Sequence, residues 1–159
     1  SMAHSRGFMK ILIQECLQAS VTIDGEVISS IQKGEVIFVG FTTGDDEKVI
    51  DRMIEKLFNL RIFEDENGKT NLNLAQTGGN ILCVSQFTLY GDVTHGNRPS
   101  FVKALPGCDS EKLYDYTCLK LKERLSGCQF GRFGADMKVS LINDGPFTLM
   151  LDSKELFGL

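Results

Sequence analysis

Two short segments hold most of the side chains that chemistry could use. Ser85, Gln86 and Thr88 close the apolar run Leu82-Cys83-Val84-Ser85-Gln86-Phe87-Thr88-Leu89-Tyr90, and Asn143-Asp144-Gly145-Pro146-Phe147-Thr148 lies further along the chain. A hydroxyl at Ser85 or Thr88 becomes a nucleophile only beside a base that takes its proton. The chain has 2 histidines, His4 and His95. Ser85, His95 and Asp92 are the one Ser-His-Asp set on offer, but no Gly-x-Ser-x-Gly elbow surrounds Ser85. His95 sits in a glycine-containing stretch, where a solvated loop histidine is the favoured reading. Paired carboxylates, a phosphate loop and a metal-binding helix motif are all missing. What is left is a site without a placed base. Such a site can still work through backbone N–H groups aimed at a developing oxyanion, with substrate positioning supplying much of the rest. The plain reading of the Ser85–Thr88 segment is that polar residues finish a strand. Asn143-Asp144-Gly145-Pro146 likewise reads first as a hairpin turn whose proline opens the next strand. Its functional reading is that glycine lets backbone approach a ligand closely and that proline admits a cis bond.

The elements that must position these residues follow from periodicity. Residues 9–16 and 19–24 read as strands, Asp24-Gly25 as a hairpin turn, and 26–32 and 35–42 as returning strands. Residues 45–60 carry Val49, Ile50, Met53, Ile54, Leu57 and Phe58 at helical spacing behind a capping Asp45 or Asp46. A strand over 61–66, a turn at Asn67-Gly68 and a core strand over 80–87 follow. Residues 90–106 form a long loop, 109–125 a second helix, and 137–143 and 147–151 two strands around Asp144-Gly145. This order predicts an α+β domain built on antiparallel sheets with two main helices.

A chain of 159 residues, 42% hydrophobic and 24% charged, suits one domain with a sizeable core. Residues 1–8 lack a signal-peptide pattern and read as a tag or an N-terminal extension, which leaves 9–159 as the domain. No apolar run is long enough to span a membrane. Net charge is −4, which argues against broad nucleic-acid binding but not against a nucleic acid gripped at one end by a local basic patch. The 5 cysteines (Cys16, Cys83, Cys108, Cys118 and Cys128) include no Cys-x-x-Cys pair. They read as reduced thiols of a cytoplasmic protein, and no metal or cofactor is expected.

Taken together, Ser85-Gln86-Phe87-Thr88-Leu89 and Asn143-Asp144-Gly145-Pro146-Phe147-Thr148 resemble the D-aminoacyl-tRNA deacylase (D-tyrosyl-tRNA(Tyr) deacylase) family. Supporting matches run from Met9 to about Leu151. They include Asp24-Gly25-Glu26-Val27, Asn80-Ile81-Leu82, Gly96-Asn97-Arg98-Pro99-Ser100-Phe101 and Phe133-Gly134-Ala135-Asp136-Met137. The resemblance implies a barrel-like core and a homodimer with the active site at the subunit interface. In the family the Gly-Pro peptide is cis and enters the partner's pocket, so Gly145 and Pro146 would test chirality in the other subunit. Ser85, Gln86, Phe87 and Thr88 would form the local catalytic wall, with the Phe87 N–H among the oxyanion donors. Two accounts of the chemistry exist for the family. In one, the residue matching Thr88 is a nucleophile. In the other, no side chain is essential and the 2′-hydroxyl of the terminal adenosine assists; the lack of a placed base favours this one.

Three positions depart from the family pattern: Glu15 stands for a common arginine, Phe147 for valine, and His95 for lysine. Glu15-Cys16-Leu17 and Gly145-Pro146-Phe147-Thr148 are closer to an animal-type paralogue with a trans Gly-Pro bond and a relaxed chirality check. Ser85–Leu89 and Arg98-Pro99-Ser100-Phe101 side with the D-specific branch. The expected function is hydrolysis of the ester of D-aminoacyl-tRNA, and of glycyl-tRNA mischarged on tRNA-Ala, as proofreading in translation quality control. Arg98 and Lys103 are candidate tRNA contacts; no DNA partner is expected. The competing readings are the relaxed paralogue that also deacylates L-alanyl-tRNA, a serine esterase using Ser85 and His95, and a noncatalytic tRNA-end binding module.

Overall fold

Alternation of buried and part-exposed residues runs almost unbroken from Ile11 to Ile23, and these residues form one long strand, β1 (Lys10–Ile23). The computed structural model describes residues 8–158. The segment read as an extension thus lies outside the described residues except for Phe8. Phe8 belongs to the folded unit: its carbonyl accepts the Tyr90 hydroxyl, and Lys154 Nζ lies 5.4 Å from its ring centroid. After β1 come β2 (Glu26–Ile31), β3 (Gly34–Gly40), α1 (Glu47–Asn59), β4 (Phe63–Glu64), β5 (Thr70–Leu72), α2 (Leu74–Thr77) and β6 (Asn80–Ser85). The rest of the chain supplies α3 (Gly107–Arg124), β7 (Gln129–Phe130), β8 (Lys138–Asp152) and α4 (Ser153–Phe157).

The main sheet has the order β2-β1-β3-β6-β7, with β8 on the other edge of β1. The first part of β1 pairs with β3 and its last part with β2, around a bulge at Val21/Thr22. The sheet curls until β7 meets β2, where Ser29 Oγ donates to the Phe130 carbonyl. This is the barrel-like α+β core. Pairing is not antiparallel throughout: β3 with β6 and β6 with β7 are parallel. The connection from β3 to β6 passes through α1, the small β4–β5 hairpin and α2, and such a crossover returns the chain to the same end of the sheet.

Strands β3 and β6 are buried on both faces, which explains their continuous apolar sequences. Val36, Leu82 and Val84 point into the curl with Cys16, Val21 and Ile31. Ile37, Val39, Ile81 and Cys83 point outward, against Ile50, Met53, Leu57, Tyr114 and Leu121 of the helices. The predicted stripe of α1 is the buried face, and Asp46 caps the helix by accepting from Val49 N–H at 3.0 Å. Helix α3 is fixed to the sheet by Tyr114, whose hydroxyl donates to the carbonyls of Cys83 (3.1 Å) and Gly131 (3.3 Å).

Besides the parallel pairings, three expectations are corrected. The strands expected over 9–16 and 19–24 are the single β1. Asp144-Gly145 is not a hairpin turn. Both flanks of the segment run antiparallel to β1, with Cys16 opposite Asn143 and Gln14 opposite Thr148. Residues 144–147 therefore bulge from one continuous strand opposite Glu15. The core strand also stops at Ser85, and Phe87–Tyr90 form a 3-10 turn. The two-residue β7 and the short α2, with its Asn73/Gln76 capping box, were not anticipated.

Candidate active site

Strand β6 delivers Ser85 opposite Val39 of β3, and the ladder ends with the Gln86 N–H donating to Val39 O at 2.8 Å. The chain then tightens: Leu89 N–H reaches Gln86 O at 3.3 Å and Gly91 N–H reaches Thr88 O at 2.9 Å. The N–H groups of Phe87 and Thr88 come before the first of these bonds. They are the leading donors of the turn, which an oxyanion suits. Gly40 makes room for this geometry, because a Cβ there would stand 2.9 Å from Gln86 O and 3.2 Å from the Tyr90 ring.

Ser85, Gln86 and Phe87 line a cleft of about 570 Å³ with Phe101, Leu105, Phe133, Met137 and the first turn of α3. Phe87, half exposed, meets Phe101 edge to face at 5.1 Å between ring centroids. Among the described residues the lining holds one carboxylate, Asp136, which bonds Lys138 at 3.1 Å, and no histidine. Thr88 is exposed and outside the lining. Its hydroxyl oxygen accepts from Gln86 Nε2 at 2.6 Å. That amide occupies a lone pair on the oxygen and cannot take its proton.

The structure does not assemble a Ser85-His95-Asp92 triad. His95 is exposed in a loop closed by the Asp92–Ser100 bridge and does not line the cleft. Asp92 accepts from the Thr94 hydroxyl (2.6 Å) and N–H (2.9 Å), and Lys103 lies 3.4 Å away. These partners, Thr94 first, hold its carboxyl down to about 2. Arg98 and Lys103 are exposed on the same loop, and Lys103 already has Asp92 for company. Among the described residues no cluster of three or more His, Cys, Asp or Glu could hold a metal.

Gly145 and Pro146 lie elsewhere in the same chain. Their peptide bond is cis, and both residues are exposed on the β8 bulge beside Glu15. Ser85 is level with Ile11 of β1 through Val39, on the other side of that strand. The two motifs are therefore not in one cleft within a single chain. Sequence reasoning missed Phe101, Phe133 and Met137 as cleft walls; their only signal was membership of the stretches that carried the family resemblance.

The chain matches the family model described as D-Tyr-tRNA(Tyr) deacylase over residues 12–152. It is 48% identical over 149 residues to a D-aminoacyl-tRNA deacylase of Clostridium tetani (strain Massachusetts / E88), covering 94% of this chain and all of that one. It is 50% identical over 148 residues to one from Listeria monocytogenes serotype 4a (strain HCC23), covering 93% and 98%. A solved structure of a c-Myc DNA Unwinding Element Binding Protein superposes with a TM-score of 0.84 at 40% identity, over 89% of this chain and 97% of that one. A probable eukaryotic D-amino acid tRNA deacylase shares the fold, with a TM-score of 0.79 at 16% identity over 91% and 99%.

Proposed function

The chain belongs to the D-Tyr-tRNA(Tyr) deacylase family, and on that premise we propose that it hydrolyses the ester joining a D-amino acid to the 3′ end of tRNA. The observation that carries the chemistry is the cleft beside the 3-10 turn. It is lined by Ser85, Gln86 and Phe87, the entry to that turn, and among the described residues its lining has no histidine. An ester is more activated than an amide, so positioning and oxyanion stabilisation suffice. Water adds to the carbonyl carbon and the carbonyl oxygen becomes an oxyanion facing the leading N–H groups of the turn. The ester C–O bond then breaks, and the ribose oxygen leaves with a proton. The neighbouring ribose hydroxyl of the terminal adenosine relays that proton; the Thr88 hydroxyl, which accepts from Gln86 Nε2, has no base bonded to it that would favour it for this role. Glycyl-tRNA mischarged on tRNA-Ala is accepted too, because the cleft tests handedness rather than side-chain chemistry. The role is proofreading in the cytoplasm.

The working unit is a homodimer of domains spanning residues 9–159, in which Gly145 and Pro146 of one subunit enter the other's cleft and exclude L-amino acids by clash. Exposure of Gly145, Pro146 and the neighbouring Leu17 and Ile142 on β1 and β8 supports this reading. Arg98 and Lys103 would meet acceptor-end phosphates. A net charge of −4 argues against broad DNA binding, which needs a basic surface. The test is ester loss from matched D-, L- and glycyl-tRNAs. Survival of the D-aminoacyl ester at high enzyme concentration would sink the proposal and leave a noncatalytic binding module. Cleavage of L-alanyl-tRNA alongside it would mark the relaxed paralogue.

A further inference from the structure

Glu15 of β1 and Glu35 of β3 stand directly opposite each other in an antiparallel pair. Their strand parity turns both toward the side of the sheet that carries Ile11, Ile13, Ile37 and Val39. Glu15 is 8% exposed and Glu35 1%. Glu15 Oε2 and Glu35 Oε1 are both buried without a hydrogen-bond partner. Directly opposed residues bring their Cβ atoms within about 4.5–5.5 Å, so the two carboxyl groups share one dry space. The charged groups around Glu15 are mostly of its own sign: Asp144 from β8 and Glu64 from β4, with Lys33 from the β2–β3 turn as the one cation. The Cys16 thiol beside them keeps its proton, pushed up to about 11 by burial and then by Glu35. Two ionised carboxylates repel in this space, so charging both is disfavoured. If one carboxyl keeps its proton, its O–H donates to the other, and the orphaned oxygens acquire partners.

The same residue carries the root of the Gly145–Pro146 bulge. Asn143 Nδ2 donates to the Glu15 carbonyl at 2.8 Å and to the Phe147 carbonyl at 2.9 Å. These two bonds bracket residues 144–147, and Glu15 is the β1 residue that the bulge spans. We propose that Glu15 and Glu35 form a proton-sharing carboxyl pair that sets the position of the Gly145–Pro146 bulge. They are positioning residues, because they act through Asn143 and the bulge. Their consequence for substrate selection rests on the reading of Gly145 and Pro146 given above.

Burial first, then Asp144 and Glu64, pushes Glu15 up to about 7; burial first, then Glu15, pushes Glu35 up to about 8. Below this range both carboxyls are protonated and bond as neutral acids, and within it they share one proton. Above it both carboxylates are charged, β1 and β3 repel at this position, and the bulge root moves. The experiment uses the full chain and two readouts. The first is the backbone amide resonance of Phe147, followed from about pH 6 to 9 with the Glu side-chain carboxyl carbons. The Phe147 amide should titrate with Glu35, and the isosteric E15Q/E35Q variant should abolish that titration. A Phe147 amide that stays flat in the wild type, or titrates unchanged in the double variant, would overturn the proposal; the wild-type arm decides even if the variant does not fold. The second readout is the ratio of deacylation rates on D- and L-tyrosyl-tRNA, corrected for spontaneous ester loss. It should fall by about tenfold or less between pH 6.5 and 8.5 in the wild type and be level in E15Q/E35Q. A titrating Phe147 with a pH-independent ratio would uphold the pair and reject the selective role of the bulge.

Discussion

Thr88 carries its hydroxyl against the Gln86 amide, with no group beside it that can take the proton. Among the described residues the cleft lining lacks histidine. These two facts favour backbone and substrate groups over a side-chain nucleophile. Thr88→Ala should therefore keep D-tyrosyl-tRNA deacylation within about tenfold in single turnover, whereas loss of a true nucleophile costs about 10⁴-fold or more. His95→Ala should leave kcat/KM within about twofold. The buried acids set a further expectation. Glu15, Glu35 and Asp45 are raised to about 7, 8 and 7 respectively, each chiefly by burial. Asp45 accepts from the N–H groups of Met9 (2.9 Å) and Thr42 (2.8 Å), which lessens its shift without cancelling it. At neutral pH the native chain thus holds protons that the unfolded chain has released. This contribution is fully present below the ordinary carboxylate pKa and lost as pH rises through about 7–8. Urea midpoints should fall between about pH 5 and 8.5, by a few kcal/mol in stability. E15Q/E35Q should flatten most of that slope and leave the part due to Asp45.

Among the elements, the 3-10 turn of Phe87–Tyr90 depends on a neighbour rather than on its own residues. Gly40 of β3 leaves the space that Gln86 and Tyr90 fill. Gly40→Ala should displace the turn, cost about 1–3 kcal/mol in a urea melt, and lower kcat more than it raises KM. An unchanged kcat would separate the turn from the chemistry. The α1 stripe was legible because apolar residues at helical spacing have one face to bury and Asp46 marks the start. The β8 bulge was not legible as such. Asn-Asp-Gly-Pro is ordinary turn chemistry, and only the register of both flanks against β1 shows that the chain continues in one direction. Likewise, the apolar runs of β3 and β6 announce burial on both faces but carry no signal of parallel pairing.

For the whole molecule, the two motifs that carry the resemblance sit on opposite sides of β1, so they do not share a cleft within one chain. The proposed dimer should be seen by sedimentation equilibrium at micromolar concentration. Subunit mixing gives a sharper test. A chain lacking Gly145-Pro146 and a chain altered at Gln86 and Phe87 should each lose selective deacylation, and a mixture should recover one working site per heterodimer. No recovery after verified exchange would return the site to a single chain.

The sequence by itself determined the types of the long elements, the α1 face, the family, and the two segments that carry the family resemblance. Each of these is written in local spacing or in motifs whose residue order is specific. Only the tertiary structure decided that Phe101, Phe133 and Met137 wall the cleft, that Thr88 is held by Gln86, and that Glu15 faces Glu35. Those relations join residues through strand register and sheet curl, which depend on packing over the whole chain. A one-residue change of register would turn Glu15 or Glu35 to the other face of the sheet.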